Sequence, residues 1–188
     1  MKLAVRILVT LVTVSLCILL LGFAFSKVTE AFYPRKYSEI VEKYSTAYSV
    51  DADLVFAVIK CESGFDPAAV SHADAKGLMQ MTEETFAWVQ TKTGEQGLAA
   101  EQLFIPEVSI KYGVKLLSLN LAEFGDEAAA IAAYHAGRTA VAGWLQNADY
   151  SSDGNTLDAI PYAETRAYVE RVQKTRNIYK NIYRKDAE

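Results

Sequence analysis

The sequence is poor in cysteine, in histidine and, beyond its first few dozen residues, in positive charge. Only two cysteines occur in 188 residues, Cys17 and Cys61. Cys17 falls in a long apolar run and Cys61 in the remainder, so the globular part has no disulfide of its own and must cohere by packing. The two histidines, His72 and His135, show no HExxH-like or paired-ligand spacing. A zinc site therefore lacks its signature, and no metal or cofactor is expected. From Tyr37 onward 14 Lys and Arg stand against 22 Asp and Glu, a net charge of −8. That balance argues against a nucleic-acid partner and leaves a carbohydrate open. Convincing strand patterns and internal repeats are also missing, so the fold expected is all-α.

One long hydrophobic run is present. Lys2 and Arg6 precede it, Ile7 to Phe25 carries no charge, and Lys27 follows. The run approaches the ~20 residues of a membrane-spanning helix and exceeds the ~7–15 of a signal-peptide core. The basic residues at its start predict an N-terminus inside and the rest outside. Two alternatives stay open: cleavage at Ala24-Phe25-Ser26, or lipidation of Cys17, although Leu16 is bulky for such a site. The organisation expected is a membrane anchor over 1–27, a juxtamembrane spacer over 28–36 and one globular domain over 37–188. The protein would be single-pass in the cell membrane, its domain extracytoplasmic.

Within the domain, Pro34 is expected to open a helix to about Tyr48, with Tyr37, Ile40, Val41 and Tyr44 inward. The next helix carries Leu54, Val55, Val58 and Ile59 on one apolar stripe, capped by Asp51 and stopped near Gly64. Residues 65–76 read as a loop. Thr82 caps a helix with Phe86 and Val89 inward, and a polar connection spans 91–105. Pro106 starts a long helix to Phe124 that Gly125 ends. An Ala-rich helix over 127–136 closes at Gly137, residues 141–145 continue in helix, and 147–157 form a polar loop. Pro161 starts the last helix. Its basic residues (Arg171, Lys174, Arg176, Lys180, Arg184, Lys185) read as a solvated face, with contact to anionic wall polymer or lipid as the alternative.

Glu62 is the residue that does not fit a bland helix. It lies three residues beyond Ile59 and four beyond Val58, so it falls on the apolar stripe. It also sits in the last turn, at the negative end of the helix dipole. Desolvation and dipole both disfavour the anion and raise its pKa. A carboxyl that keeps its proton near neutrality can act as a general acid. The competing reading is a Glu at a frayed helix end, paired with a Lys or Arg.

Four further stretches bear on that choice. Glu62-Ser63-Gly64-Phe65-Asp66-Pro67, Ser71 with Ala75-Lys76-Gly77-Leu78-Met79-Gln80, Ala132-Ala133-Tyr134-His135-Ala136-Gly137 and Pro161-Tyr162-Ala163-Glu164-Thr165-Arg166-Ala167-Tyr168-Val169 resemble, in order, the motifs of the SLT (family 1) lytic transglycosylases. Pro106 to Gly113 resembles the family's linking helix. The resemblance covers about Tyr44 to Tyr179. It implies a lysozyme-like, mostly helical fold with a cleft for a glycan strand. It also implies cleavage of the β-1,4 bond between N-acetylmuramic acid and N-acetylglucosamine in peptidoglycan, leaving a 1,6-anhydro end. Peptidoglycan is the partner expected, with no protein partner identifiable.

The same resemblance assigns Glu62 both proton transfers. Ser71 would hydrogen-bond Glu62 or the substrate's N-acetyl group, Met79 and Gln80 would line the cleft, and Tyr134 would orient Glu62. Glu164 and Tyr168 would complete the wall. Core or helix-capping roles are the plain alternatives for Met79, Tyr168 and Glu164. His135 stands where the family carries Asn, and it can titrate between about pH 5 and 8. Asp74 replaces the usual Gly, and Met81-Thr82-Glu83 lacks the usual Pro.

Three other functions make different demands on these residues. A hydrolytic muramidase needs a second carboxylate or base, for which Asp66 and Asp74 are the neighbours. A cysteine hydrolase built on Cys61 would place its thiol at a helix C-terminus, where thiolates are not favoured. A non-catalytic peptidoglycan-binding module would not require Glu62.

Overall fold

The computed structural model describes residues 2–183, so Arg184 and Lys185 of the basic end lie outside it. The chain divides into two units, Met1–Pro34 with Asn181–Glu188, and Arg35–Lys180. In the first, α1 is one helix, Lys2–Phe32. Its 28-residue stretch Val5–Phe32 has a mean hydropathy of 2.7 and no buried residue, and is long and apolar enough to cross a membrane. The helix does not stop near Lys27. No Gly or Pro interrupts 28–32, and the Lys27–Glu30 pair at 2.7 Å supports the extra turn.

The second unit is helical, with isolated β-bridges at Val70–Lys76 and Lys76–Met81 in place of any named strand among its residues. Its helices are α2 (Ser38–Tyr48), α3 (Ala52–Glu62), α4 (Glu83–Thr93), α5 (Pro106–Phe124), α6 (Glu127–Ala136), α7 (Arg138–Leu145) and α8, which starts at Ala163 and runs to Tyr183. A short 3-10 helix, Ala100–Phe104, precedes α5. Pro34 does not open α2. Tyr37 adopts a left-handed backbone (φ 62°) and the helix begins after it.

α3 is buried through its middle turns and packs against α2. Asp51 accepts the Asp53 N–H at 2.8 Å and caps its start. Six consecutive residues, Leu54 to Ile59, are all buried. The helix is therefore enclosed on every side over its middle turns, not merely along the expected stripe. Phe56 stacks on Tyr179 of α8 with ring centroids 5.5 Å apart. Asp51 also accepts from Arg176, whose guanidinium reaches Glu127 at the start of α6 at 2.7 Å; Lys180 lies 3.4 Å from Asp51. Those hydrogen bonds hold the Asp51 carboxyl below its ordinary range, against the opposing effect of burial. Arg176 and Lys180 are thus tied to α3 and α6, where the sequence suggested a solvated face.

A second packing centre lies under α4 and α5. Met81, Phe86, Val89, Leu103, Tyr112 and Leu116 form it, with Trp88 and Tyr134 packed against its edge. Phe86 and Tyr112 meet edge-to-face at 4.8 Å. The polar connection between α4 and α5 is pinned by Gln90, which donates to Leu98 O and accepts from Leu98 N. The caps predicted at Thr82, Gly125 and Gly137 are all found. α7 starts at Arg138, three residues earlier than expected.

Candidate active site

Glu62 ends α3, half-buried on the wall of a cavity of about 680 Å³. Seventeen described residues line it, Glu62 among them and the others drawn from the 71–82 loop, α4, α5 and the α6–α7 junction. Tyr168 of α8 stands behind the carboxyl and donates its hydroxyl to Glu62 Oε1 at 2.5 Å. Desolvation dominates, so the Glu62 pKa is pushed up to about 7 despite the Tyr168 bond and the Arg171 charge, which both favour the anion. Burial, and then the Glu62 charge, push the Tyr168 and Tyr134 phenols well above their ordinary range. Both remain proton donors at neutral pH.

The loop facing Glu62 is built on three residues of the second motif. Ser71 Oγ accepts the N–H groups of Ala73 and Ala75 at 3.2 and 3.1 Å. It lines the cavity but makes no bond to Glu62, because those two N–H groups orient its oxygen into the loop. Gly77 has φ +76° and approaches Leu103 so closely that an added Cβ would fall 1.9 Å from its carbonyl oxygen. Only glycine fits there. Gln80, itself left-handed at φ 47°, donates Nε2 to Ala69 O at 3.0 Å and Gly77 O at 2.9 Å. Its side chain lines the cavity with the amide nitrogen already satisfied, leaving Oε1 for another donor.

Met79 is placed otherwise than expected. Its side chain is fully buried against Gly113 of α5, where an added Cβ would come within 2.3 Å of its sulfur. Its backbone is what matters at the site. Met79 N–H donates to Ser109 Oγ of α5 at 3.1 Å, and Met79 O accepts from the Tyr134 hydroxyl at 2.7 Å. Tyr134 is thereby fixed on the cavity wall by the turn it faces. Ser63, which follows Glu62, completes the frame by donating to Leu78 O at 2.9 Å and accepting from Phe65 N.

His135 also lines the cavity. Its Nδ1 lies 3.1 Å from Thr165 Oγ1, and its ring packs on the Tyr168 ring at 4.6 Å. Burial lowers its pKa, with Arg171 acting in the same direction and Glu164 opposing. Glu164 itself is exposed in the first turn of α8 and outside the lining, where its charge suits the helix N-terminus. Asp66 and Asp74 are likewise off the cavity wall. Asp66 caps Ala68 N, and Asp74 pairs with Lys76 at 2.7 Å. Cys61 lies 3.8 Å from Thr175 Oγ1, its thiol pushed up by burial, unsuited to nucleophilic work.

Beyond the Thr82 cap, the lining residues with polar or large aromatic side chains that the sequence did not mark as site residues are Glu84, Thr85, Trp88 and Arg138. Glu84 to Trp88 are one helical turn apart on α4, a spacing that marks a shared face once Thr82 is taken as the cap. No pattern signals Arg138, which reaches the cavity only because α7 begins directly after Gly137. Among the described residues, no group of three or more His, Cys, Asp or Glu is arranged to hold a metal ion.

Comparison with known proteins agrees with this geometry. The family model described as Transglycosylase SLT domain matches residues 39–157. The soluble lytic murein transglycosylase of Escherichia coli is 30% identical over 146 residues, 76% of this chain and 23% of that protein. Membrane-bound lytic murein transglycosylase C of Edwardsiella ictaluri is 31% identical over 169 residues, 78% of this chain and 47% of that protein. Among solved structures, an inactive mutant of lytic transglycosylase Slt from Pseudomonas aeruginosa matches with a TM-score of 0.71 at 28% identity, over 81% of this chain and 25% of that one. The 70 kDa soluble lytic transglycosylase of Escherichia coli matches with a TM-score of 0.72 at 26% identity, over the same shares. The fold is the lysozyme-like, all-α one anticipated. The chain spans between about a quarter and a half of the length of these relatives.

Proposed function

We propose, since this chain belongs to the SLT transglycosylase family, that it is a membrane-anchored peptidoglycan lytic transglycosylase with Glu62 as its single general acid and base. The observation that carries the reading is a half-buried carboxyl, with its pKa raised to about 7, on the wall of a cavity. Such a group holds a proton to give and can take one back without a large energetic step.

Protonated Glu62 donates to the oxygen linking N-acetylmuramic acid to N-acetylglucosamine as that bond to C1 breaks. The muramic acid's own N-acetyl oxygen closes on C1 and holds the positive charge. Glu62, now a carboxylate supported by the Tyr168 hydroxyl, removes the proton from the C6 hydroxyl. The C6 oxygen then bonds C1, the N-acetyl oxygen leaves, and a 1,6-anhydro end results with Glu62 reprotonated. Water takes no part. Tyr134 and Gln80, fixed on the turn facing Glu62, contact the sugars, and the Oε1 of Gln80 accepts from a hydroxyl or an acetamide N–H. α1 holds the enzyme at the cell membrane, single-pass, with the domain on the outer side where the wall lies.

One observation favours a hydrolytic muramidase as the second reading: Glu84 is a further carboxylate on the cavity wall. Clearing of purified peptidoglycan by the full chain in detergent separates the two requirements. The proposal expects Glu62→Gln to abolish clearing and Glu84→Gln to retain it within a few-fold. Equal loss in both variants supports the two-carboxylate reading, and clearing that survives Glu62→Gln removes Glu62 from the chemistry.

A further inference from the structure

Among the described residues that line the cavity, Arg138 is the only Lys or Arg, and the other formal charges are Glu62 and Glu84. It is held in an unusual way. Its guanidinium lies over the Trp88 indole, 4.4 Å from the ring centroid. Its Nε and Nη2 both engage Glu123 Oε2 from α5. A guanidinium has five N–H donors in one plane. Glu123 occupies the Nε–Nη2 edge, and Nη1 has no hydrogen bond among the described residues. Stacking and ion pair together remove the rotamer freedom that an exposed arginine keeps. The result is a fixed, partly used cation on the wall of the same cleft as Glu62.

The substrate proposed above gives that cation little to bind along its sugars. A strand of alternating N-acetylglucosamine and N-acetylmuramic acid whose lactyl groups are all amidated is neutral. Its anionic groups are the carboxylates of the peptides attached to those lactyl groups. A planar guanidinium with free donors matches a carboxylate better than a hydroxyl or an amide. We infer that Arg138, fixed by Trp88 and Glu123, binds a carboxylate of the stem peptide and makes this enzyme prefer peptide-bearing over bare glycan. The inference rests on the proposed function, since it concerns the same cleft, and it adds the part of the substrate that selects the strand.

Binding can be read apart from catalysis. The Glu62→Gln full chain in detergent is titrated with soluble oligosaccharides from wall free of teichoic acid, either carrying stem peptides or stripped of them by amidase. The readout is tryptophan fluorescence. The stripped sugars carry a free lactyl carboxylate, so they also test whether the peptide itself is needed. A charge-assisted hydrogen bond in this setting is worth about tenfold in affinity. The peptide-bearing oligosaccharide should bind about tenfold more tightly, and adding Arg138→Gln should equalise the two while leaving the stripped one little changed. Arg138→Lys keeps the charge but loses the stack and the fork, and should retain a reduced preference that salt weakens. Equal affinity for both sugars in the parent chain overturns the inference. So does a preference that persists in Arg138→Gln, or a parallel loss for both sugars, which would make Arg138 a structural brace. Absence of cleavage by the chain with Glu62 intact would count against the proposed function alone.

Discussion

At the scale of single residues the account turns on one proton. Glu62 has its folded pKa raised to about 7 from an ordinary 4.5, mainly by desolvation. The folded state therefore holds a proton that the unfolded chain releases above pH 4.5, so stability is full below that pH and declines as pH rises toward 7. Glu62→Gln removes the burden of the buried charge. It should raise the melting temperature at pH 8, by the equivalent of about 1–3 kcal/mol, and change it little at pH 4.5. Activity needs the protonated acid, so the rate should fall as pH rises through about 7. Tyr168→Phe removes a bond that favours the anion, and the falling limb should move to higher pH. His135→Asn should leave that limb near pH 7, because burial keeps the His135 pKa below its ordinary value. A pH–rate profile of the three enzymes checks all of this. Glu62 was legible because helical periodicity places a carboxylate on an apolar face. The bond from Tyr168 was not, since it joins residues 106 apart. Met79 shows the limit of a motif: the resemblance marks the position, but whether side chain or carbonyl matters depends on the neighbouring Gly113.

At the scale of elements, the site depends on a turn clamped between α5 and α6. Gly77 combines a left-handed backbone with a Cβ position 1.9 Å from Leu103 O. Gly77→Ala should cost at least about 3 kcal/mol in urea unfolding, or prevent folding. Gly64 also has positive φ, at 60°, but nothing lies within 4 Å of its added Cβ. Gly64→Ala should cost only about 1 kcal/mol. Equal effects from the two would mean that backbone strain, not the approach to Leu103, governs the turn. The long helices were readable where their ends carry chemistry, as with Pro106 at the start of α5 and Gly125 past its end. The 3-10 helix at Ala100–Phe104 was not, because five residues show no periodicity, and α2 began late because Tyr37 takes a backbone angle no sequence pattern marks. The full burial of α3 was also hidden. Phe56 reads as an off-stripe position until Tyr179 of α8 is seen to stack on it.

At the scale of the whole molecule, the sequence divides its labour between an apolar helix and an acidic helical domain. The apolar run was legible by length alone, since few soluble helices sustain such hydropathy without burial. The full chain should pellet with membranes and resist both high salt and alkaline washing, whereas residues 35–188 should stay in solution. Release of the full chain by salt alone would contradict insertion of α1. The central claim is that bond cleavage proceeds without water, through one residue. It is tested most directly by digesting purified peptidoglycan in water enriched in heavy oxygen and weighing the products. The account predicts muropeptides lighter than hydrolysis products by one water, carrying no heavy oxygen and absent with Glu62→Gln. Reducing ends of full mass that carry heavy oxygen would contradict it, and would direct attention to Glu84.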